Sequence, residues 1–159
     1  MNKINFVIFG KIKENSLKDL INEYVKRLSK YAQTSLTILD DEKISDENNQ
    51  KMIDKALQLE ANKALKIIKD SDYLIILDLH GKCFDTIKFT EKFKSILDEN
   101  SSIVVLVGSS YGLDDSLRKR ANLALKLSDM TFTHPITLLL TLEQVFRSFK
   151  ILNNETYHK

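Results

Sequence analysis

Three short segments of the chain hold polar side chains, two of them together with glycines, in a way that is typical of ligand-binding loops. They are residues 76–82 (ILDLHGK), 107–113 (VGSSYGL) and 127–132 (LSDMTF). Each segment lies at the carboxyl end of a run of residues with strand character. Because ligands of open α/β sheets bind at the carboxyl ends of the strands, these segments are the candidate binding loops.

Gly108 and Gly112 bracket a loop between a predicted buried strand and a predicted helix. Glycines at such positions let a ligand approach the backbone closely. The chain has neither a GxGxxG pattern nor a Walker lysine, so the two glycines indicate a nucleotide site only weakly. On spacing alone, two glycines in an ordinary turn are the favoured interpretation.

The last predicted helix and the residues after it hold further candidates. His134 precedes Pro135 at the start of that helix, where a helix cap and a ligand contact are equally good interpretations. Glu143 and Arg147 are four residues apart, which is typical of an intrahelical ion pair. Residues 157–159 (Tyr-His-Lys) can stack on a base and contact a phosphate, although a polar chain end is more commonly frayed.

Residue counts exclude several other chemistries. The single cysteine, Cys83, rules out a disulfide framework and a Cys-rich zinc site. No Cys-His-Asn pattern accompanies it, so we expect a small packed side chain rather than a nucleophile. Three histidines without paired spacing argue against a metal site, and no GxSxG nucleophile motif is present.

The 159-residue chain has the length of one domain and a formal net charge of +2. This small charge excludes a strongly basic protein that holds nucleic acid by bulk charge alone. The balance is uneven, because residues 1–31 and 116–159 each hold seven Lys or Arg against three acids, whereas residues 40–54 hold six acids against two Lys. The apolar runs at 1–10 and 136–142 are too short for a signal sequence or a membrane span, so we expect a cytoplasmic protein.

Strand patterns alternate with helix patterns along the chain, which predicts an α/β fold with a mainly parallel sheet. We expect strands at residues 4–9, 36–39, 73–77, 103–107 and 123–127. We expect helices at residues 16–31 (with a Ser cap), 52–68, 87–97, 114–122 and from His134-Pro135 to about Leu152. No repeat or linker is visible, so we predict one domain over residues 1–159. The last helix is apolar nearly all round, so we expect cover on two sides, with a partner subunit as one cover.

Several separated motifs match one family in order and spacing. They are Gly108-x-x-x-Gly112-Leu113, Leu127-Ser128-x-Met130-Thr131-Phe132-x-His134, Glu143-Gln144-x-Phe146-Arg147-x-Phe149-Lys150-Ile151 and Tyr157-His158-Lys159. Gly10-Lys11 and residues 77–82 match as well, and the length agrees from end to end. The chain therefore resembles the ribosomal large subunit methyltransferase H group of the SPOUT class.

The resemblance implies a SPOUT-type α/β fold with a deep C-terminal trefoil knot, and a homodimer. It implies an enzyme that uses S-adenosylmethionine to methylate N3 of a pseudouridine in helix 69 of 23S rRNA, on the assembled ribosome, without a metal. It also implies which residues contact the cofactor: Leu77, Gly108, Leu127, Ser128, Asp129, Met130, Thr131 and Phe132.

Methylation at N3 requires that the N3 proton be removed or the resulting anion be stabilised. The resemblance offers His134, Arg147, Tyr157 and His158 as catalytic candidates. We expect Arg147 and His158 to stabilise the substrate anion or its phosphates and Tyr157 to pack on a base, and the proton acceptor is left open. Dimerisation would set the end of one subunit beside the cofactor pocket of the other.

Two positions depart from the family pattern. Ser109 stands where the family usually has a second glycine, close to the methionine end of the cofactor. Leu138 stands where the family tends to carry an arginine that would touch RNA or the partner. Two alternatives therefore remain: a non-catalytic ribosome-binding or RNA-binding factor on the same scaffold, and a SPOUT methyltransferase with another RNA target.

Overall fold

The computed structural model describes residues 1–159 as strands and helices in strict alternation. The strands are β1 (Lys3–Phe9), β2 (Gln33–Leu39), β3 (Tyr73–Cys83), β4 (Ser102–Val107) and β5 (Leu123–Lys126). The helices are α1 (Asn15–Leu28), α2 (Gln50–Ile67), α3 (Thr86–Glu99), α4 (Asp115–Arg120) and α5 (His134–Leu152). The sheet has the order β2-β1-β4-β3-β5, and all its pairs are parallel, which confirms the predicted α/β class.

The central strands bury both of their faces, as strands of a parallel sheet covered by helices do. In β4, for example, Val105 faces α1, α3 and α5, whereas its neighbour Leu106 faces α2 and α4. The two faces therefore form two separate apolar cores on either side of the sheet. This explains why β4 is a continuous apolar run rather than an alternating one.

Three helices begin at side-chain caps that the local sequence supplies. Asn49, Asp85 and Asp114 accept hydrogen bonds from backbone N–H groups of α2, α3 and α4, at 3.3, 2.8 and 3.0 Å. The predicted serine cap of α1 is wrong, because Ser16 lies inside the helix and Glu14 at the cap position makes no side-chain cap bond. Helix α1 also ends at Leu28, three residues before the predicted end.

Strand β3 continues beyond the point where polar residues were expected to end it. The predicted strand covered residues 73–77, but the ladder with β5 resumes at Lys82 after an irregularity that follows Leu77. Gly81 lies so close to β5 that an added Cβ would sit 2.7 Å from the carbonyl carbon of Ala124. The strand passes its neighbour there only because residue 81 has no side chain.

Helix α5 is enclosed mainly by its own chain. It packs between α1 and α3 over the sheet, and Leu138, Leu142 and Phe149 are buried. Within the chain, α1 and α3 cover α5 on two sides, and further cover by a partner subunit stays a prediction. Leu138, the departure from the family arginine, is 0% exposed and belongs to the core.

No helix is long and apolar enough to cross a membrane. The strand order does not by itself define a knot, and the trefoil knot stays a prediction.

Candidate active site

The carboxyl ends of β3, β4 and β5 open onto one cleft of about 790 Å³. Its walls are formed by residues 77–80 within β3 and by residues 107–113, 125–128 and 130–134, together with Arg118 and Thr137. The three segments singled out by their composition therefore lie together, as expected for the carboxyl edge of a parallel sheet. We refer to this space as the cleft.

Gly108 is required by the tight turn that closes the end of β4. An added Cβ would lie 2.7 Å from the carbonyl oxygen of Gly112 and 2.9 Å from the side chain of Leu113. Gly112 has a φ of +100°, and its N–H donates to the carbonyl oxygen of Ser109 at 3.0 Å. The two glycines thus fold residues 108–112 into a compact loop whose backbone faces the cleft.

Seven of the eight expected cofactor contacts line the cleft, namely Leu77, Gly108, Leu127, Ser128, Met130, Thr131 and Phe132. Asp129 does not line it, because its side chain points to solvent and pairs with Lys126 at 2.6 Å. This hydrogen bond lowers the pKa of the Asp129 carboxyl. A continuous run in the sequence could not show that one of its members points away, and the roles of all eight residues stay predictions.

His134 belongs to the wall of the cleft. It is the first residue of α5, and the cap position is Thr133, so the interpretation of His134 as the helix cap is wrong. Partial burial lowers the pKa of the imidazole below its ordinary value of 6.5. The negative charges of Asp41 and Glu14 act to raise this pKa but do not outweigh the effect of burial. The ring is therefore mainly neutral near pH 7 and has a nitrogen free to accept a proton.

An ion pair at the base of the cleft was not anticipated from the sequence. The Asp78 carboxylate, which is 7% exposed, accepts a hydrogen bond from Arg118 Nε at 2.8 Å. Both residues line the cleft. The available signal was Asp78 itself, a carboxylate directly after a buried strand, but its partner lies 40 residues later on α4.

The other catalytic candidates form a second cluster, on the last turns of α5. Glu143 and Arg147 make the predicted ion pair at 2.7 Å. The Tyr157 hydroxyl donates to the same Glu143 oxygen at 3.1 Å, and Arg147 Nη1 lies 3.2 Å from His158 Nδ1. Because an arginine can only donate, Nδ1 accepts, and the hydrogen of a neutral His158 ring is on Nε2. We call these four residues the tail cluster.

The chain end is not frayed as the polar sequence suggested. The ring of Tyr157 packs edge-on against Phe146 with 5.1 Å between ring centroids, and the Arg147 guanidinium lies 4.8 Å from the Tyr157 ring centre. Burial, followed by hydrogen bonding to Tyr24 and the charge of Glu143, raises the pKa of the Tyr157 phenol. Glu155 anchors the segment further through an ion pair with Lys150 at 2.6 Å.

The cleft and the tail cluster are far apart within one chain. His134 and Arg147 lie on the same helix and differ by thirteen positions, which corresponds to about 20 Å along the helix axis at the usual rise per residue. The four catalytic candidates therefore do not meet in a single copy of the chain. Only His134 adjoins the expected cofactor contacts.

Large apolar side chains remain exposed around the cleft. They include Leu79, Met130, Phe132 and Leu140, and Met130 is 74% exposed. The side chain of Cys83 is exposed as well, so its predicted packed position is wrong. No group of three or more His, Cys, Asp or Glu side chains is arranged to hold a metal ion.

Known proteins with this sequence pattern share one description. A family model described as "Predicted SPOUT methyltransferase" matches residues 2–158. A protein of Pseudothermotoga lettingae named ribosomal RNA large subunit methyltransferase H is 44% identical over 98% of this chain and 99% of its own length. Proteins of the same name from Malacoplasma penetrans and Clostridium acetobutylicum are 38% and 40% identical, over 99% and 98% of this chain and 99% of their own lengths.

These matches span the whole sheet, the cleft and the tail cluster, so they include every feature that the site comprises. The five parallel strands agree with the α/β class expected for that family. The chain belongs to the SPOUT methyltransferase family, in the group of the ribosomal RNA large subunit methyltransferases H.

Proposed function

We propose that the chain, as a single domain, transfers a methyl group from S-adenosylmethionine to N3 of a pseudouridine in helix 69 of 23S rRNA. It acts on the assembled ribosome in the cytoplasm. The observation that carries the proposal is the meeting of three motif-bearing segments in one cleft, with the His134 ring in its wall. Relatives named for ribosomal RNA methylation support the class of substrate.

The walls of the cleft fit S-adenosylmethionine in their chemistry. Leu77, Leu127 and Phe132 offer apolar surface for an adenine ring, and the hydroxyls of Ser128 and Thr131 offer hydrogen-bond partners. The loop at Gly108 exposes backbone rather than a side chain, which permits close approach. The bound cofactor supplies a methyl group that its sulfonium already activates, so the protein has mainly to align the acceptor nitrogen with it.

The chain offers two kinds of group for the acceptor nitrogen. His134 is mainly neutral near pH 7, because burial lowers its pKa, and it can accept a proton within the cleft. Arg147 and His158 of the tail cluster can stabilise the substrate anion or its phosphates, and Tyr157 can pack on a base. Arg147 keeps its charge at any working pH, since the hydrogen bond with Glu143 raises its pKa.

A homodimer would bring the two kinds of group together. Within one chain, about 20 Å of α5 separates His134 from Arg147, at the usual rise per residue. The exposed side chains of Met130, Phe132 and Leu140 lie beside the cleft and provide apolar surface for a second copy. In a two-fold dimer built on this surface, the tail cluster of one subunit would complete the cleft of the other.

The distribution of charge suits a folded ribosomal surface better than free RNA. The basic residues of 1–31 and 116–159 are offset by the acidic run at 40–54, so the net charge per chain is only +2. Such a chain lacks the bulk attraction for phosphate that gives tight binding to any RNA. We therefore expect weak binding to an isolated helix 69 fragment.

The decisive experiment is deletion of the gene, followed by mass spectrometry of the helix 69 fragment of 23S rRNA. The expected result is loss of one methyl group from a modified uridine, restored by the wild-type gene. An intact methyl group overturns the assignment of the target. Calorimetry with S-adenosylmethionine distinguishes an enzyme from a non-catalytic ribosome-binding factor, because only the enzyme must bind the cofactor.

A further inference from the structure

A buried glutamate lies behind the loop at residues 108–112. Glu60 belongs to α2 and is only 2% exposed. Its Oε1 atom has no hydrogen-bond partner, and the same is true of the buried Oγ atom of Ser109. These two are the only buried side-chain nitrogen or oxygen atoms of the protein without a hydrogen-bond partner. Since nearly all buried polar atoms are paired in folded proteins, two unpaired ones from neighbouring segments call for an explanation.

The two unpaired atoms belong to groups that lie close together. The Ser109 hydroxyl is close enough to the Glu60 carboxyl to favour its charged form, although the pair lacks hydrogen-bond geometry in this conformation. A rotation of one of the two side chains, or a shift of the loop, would be needed to form the bond. The bond is possible in either protonation state of Glu60, because a serine hydroxyl both donates and accepts.

The second oxygen of Glu60 is already fixed. Oε2 accepts a hydrogen bond from the backbone N–H of Glu42 at 2.9 Å. Lys63 holds the Glu42 side chain through an ion pair at 2.8 Å, and it donates to the carbonyl oxygen of Asp40 at 3.0 Å. Glu60 is thus anchored to the backbone of Glu42 through one oxygen, while the other remains unpaired near Ser109.

The Ser109 end of this arrangement belongs to the cleft. Its carbonyl oxygen accepts from the N–H of Gly112, and Gly108, Ser109 and Gly112 all line the cleft. A hydrogen bond that fixes Ser109 therefore fixes the loop whose backbone a ligand would meet.

We propose that Glu60 is a positioning residue, which binds the Ser109 hydroxyl when a ligand occupies the cleft and so holds residues 108–112 in the ligand-binding conformation. The inference rests on the proposed function for the identity of that ligand, S-adenosylmethionine. It assigns to Ser109 a hydrogen-bonding role that a glycine at this position cannot have.

The test measures binding of S-adenosylhomocysteine, the demethylated product of the cofactor, by calorimetry on the full chain. Ser109→Ala removes the hydroxyl and keeps the Cβ, and we expect it to weaken binding about fivefold, the typical value for one hydrogen bond. Glu60→Leu should weaken binding to a similar extent. Glu60→Gln retains the shape and both hydrogen-bonding capacities, so it should bind nearly as tightly as the wild type. Glu91→Gln, on the exposed surface of α3, serves as the matched control.

The double variant Glu60→Leu/Ser109→Ala decides whether the two side chains act together. If they form one bond in the complex, the double variant binds about as weakly as either single variant, because the second change removes nothing more. Additive losses overturn the proposal, as does wild-type affinity of Ser109→Ala. If Glu60→Leu does not fold, the two single variants Ser109→Ala and Glu60→Gln still test the proposal, because only the first should weaken binding.

Kinetics on ribosomes supply a second readout. A positioning role predicts a raised KM for S-adenosylmethionine with kcat nearly unchanged in Ser109→Ala, because the loop is still able to adopt the binding conformation. A fall in kcat at unchanged KM contradicts it. Failure of the wild-type chain to bind the cofactor at all refutes the proposed function, whereas normal wild-type binding with unaffected variants refutes this inference alone.

Discussion

Arg147 and His158 are joined by a hydrogen bond of 3.2 Å between Nη1 and Nδ1, which leaves the Nε2 atom of the imidazole free to meet a substrate. Glu143 holds Arg147 from the other side at 2.7 Å, and Tyr157 donates to the same carboxylate. Two basic side chains and a phenol are thus fixed on the surface of α5. An arrangement of this kind is suited to the stabilisation of an anion.

The first prediction concerns His158 of the tail cluster. His158→Ala should reduce methyl transfer to ribosomes by about a hundredfold, the lower range for a positioned catalytic group. The affinity for S-adenosylmethionine should remain nearly unchanged, because His158 does not line the cleft of its own chain and its proposed role is toward the substrate anion, not the cofactor. Single-turnover kinetics and calorimetry measure the two quantities separately. Turnover by the variant equal to that of the wild type would refute the catalytic role proposed for His158.

The second prediction tests whether the tail cluster acts on the partner's cleft. Gly108→Ala should abolish cofactor binding, since its Cβ has no room at 2.7 Å from the Gly112 oxygen. Arg147→Ala/His158→Ala should abolish transfer but not binding. Mixed dimers of the two inactive variants contain one intact composite site, so co-expression should restore about a quarter of the wild-type activity.

A site formed within one chain gives the opposite result in this experiment. Each subunit of the mixed dimer then carries its own defect, and no activity returns. Dimers of each variant alone, prepared in the same way, provide the background.

The third prediction is a pH dependence of stability that comes from Glu60. Burial raises the pKa of its carboxyl above the ordinary value of 4.5, and the neighbouring charges of Asp41 and Glu42 act in the same direction. The Glu42 N–H and the Ser109 hydroxyl oppose this shift, and Lys63 lies nearby. The folded protein therefore binds more protons at this site than the unfolded chain does.

The sign of the effect follows from this difference. The contribution of Glu60 to the free energy of unfolding is fully present below its unfolded pKa and is lost as the pH rises through the folded pKa. Glu60→Gln cannot ionise, so the variant should gain stability relative to the wild type as the pH rises from about 4 to about 8. Urea unfolding across this range measures the difference. A constant difference, like that expected for Glu91→Gln, would contradict the prediction.

The fourth prediction concerns the contact between β3 and β5. Gly81→Ala should destabilise the protein by about 1–3 kcal/mol, the usual cost of overpacking, because the added Cβ meets backbone atoms of Ala124 and Leu125 at 2.7 and 2.8 Å. Backbone of a paired strand cannot move aside as a flexible side chain can. Thermal and urea unfolding provide the measurement. Lys82→Ala, which removes an exposed neighbouring side chain, is the matched control.

Strands and helices were predictable from the sequence where a single pattern of apolar residues determined the type of element. The buried strand β4 and helix α5 follow from continuous or helically spaced apolar residues, and their expected bounds are correct within one residue. The continuation of β3 through His80 and Lys82 was not predictable from local sequence. The polar residues in this segment predict the end of the strand, whereas hydrogen bonding with β5 extends it.

The candidate site was predictable in part for a similar reason. The sheet brings strand ends together, so Leu77, Gly108 and Leu127 share a cleft although they are distant in sequence. Tertiary contacts decide the direction in which a side chain points. Asp129 points to solvent and pairs with Lys126 rather than lining the cleft. The burial of Glu60 was missed, although four-residue spacing places it on the same face of α2 as the buried Ala56 and Ala64. Its hydrogen bond with Glu42 depends on a tertiary contact that spacing does not show.

The position of β1 has a consequence for folding. This strand precedes the other four in the chain and lies between β2 and β4, and Asn2 donates to the carbonyl oxygens of Leu97 and Asn100, 95 and 98 residues later. During translation, one edge of β1 therefore stays unpaired until β4 has left the ribosome. Parallel pairing between such distant segments gives a high contact order, which slows folding and prolongs exposure of the apolar face of β1. Chaperone binding during synthesis is the expected result, and release should follow the appearance of β4.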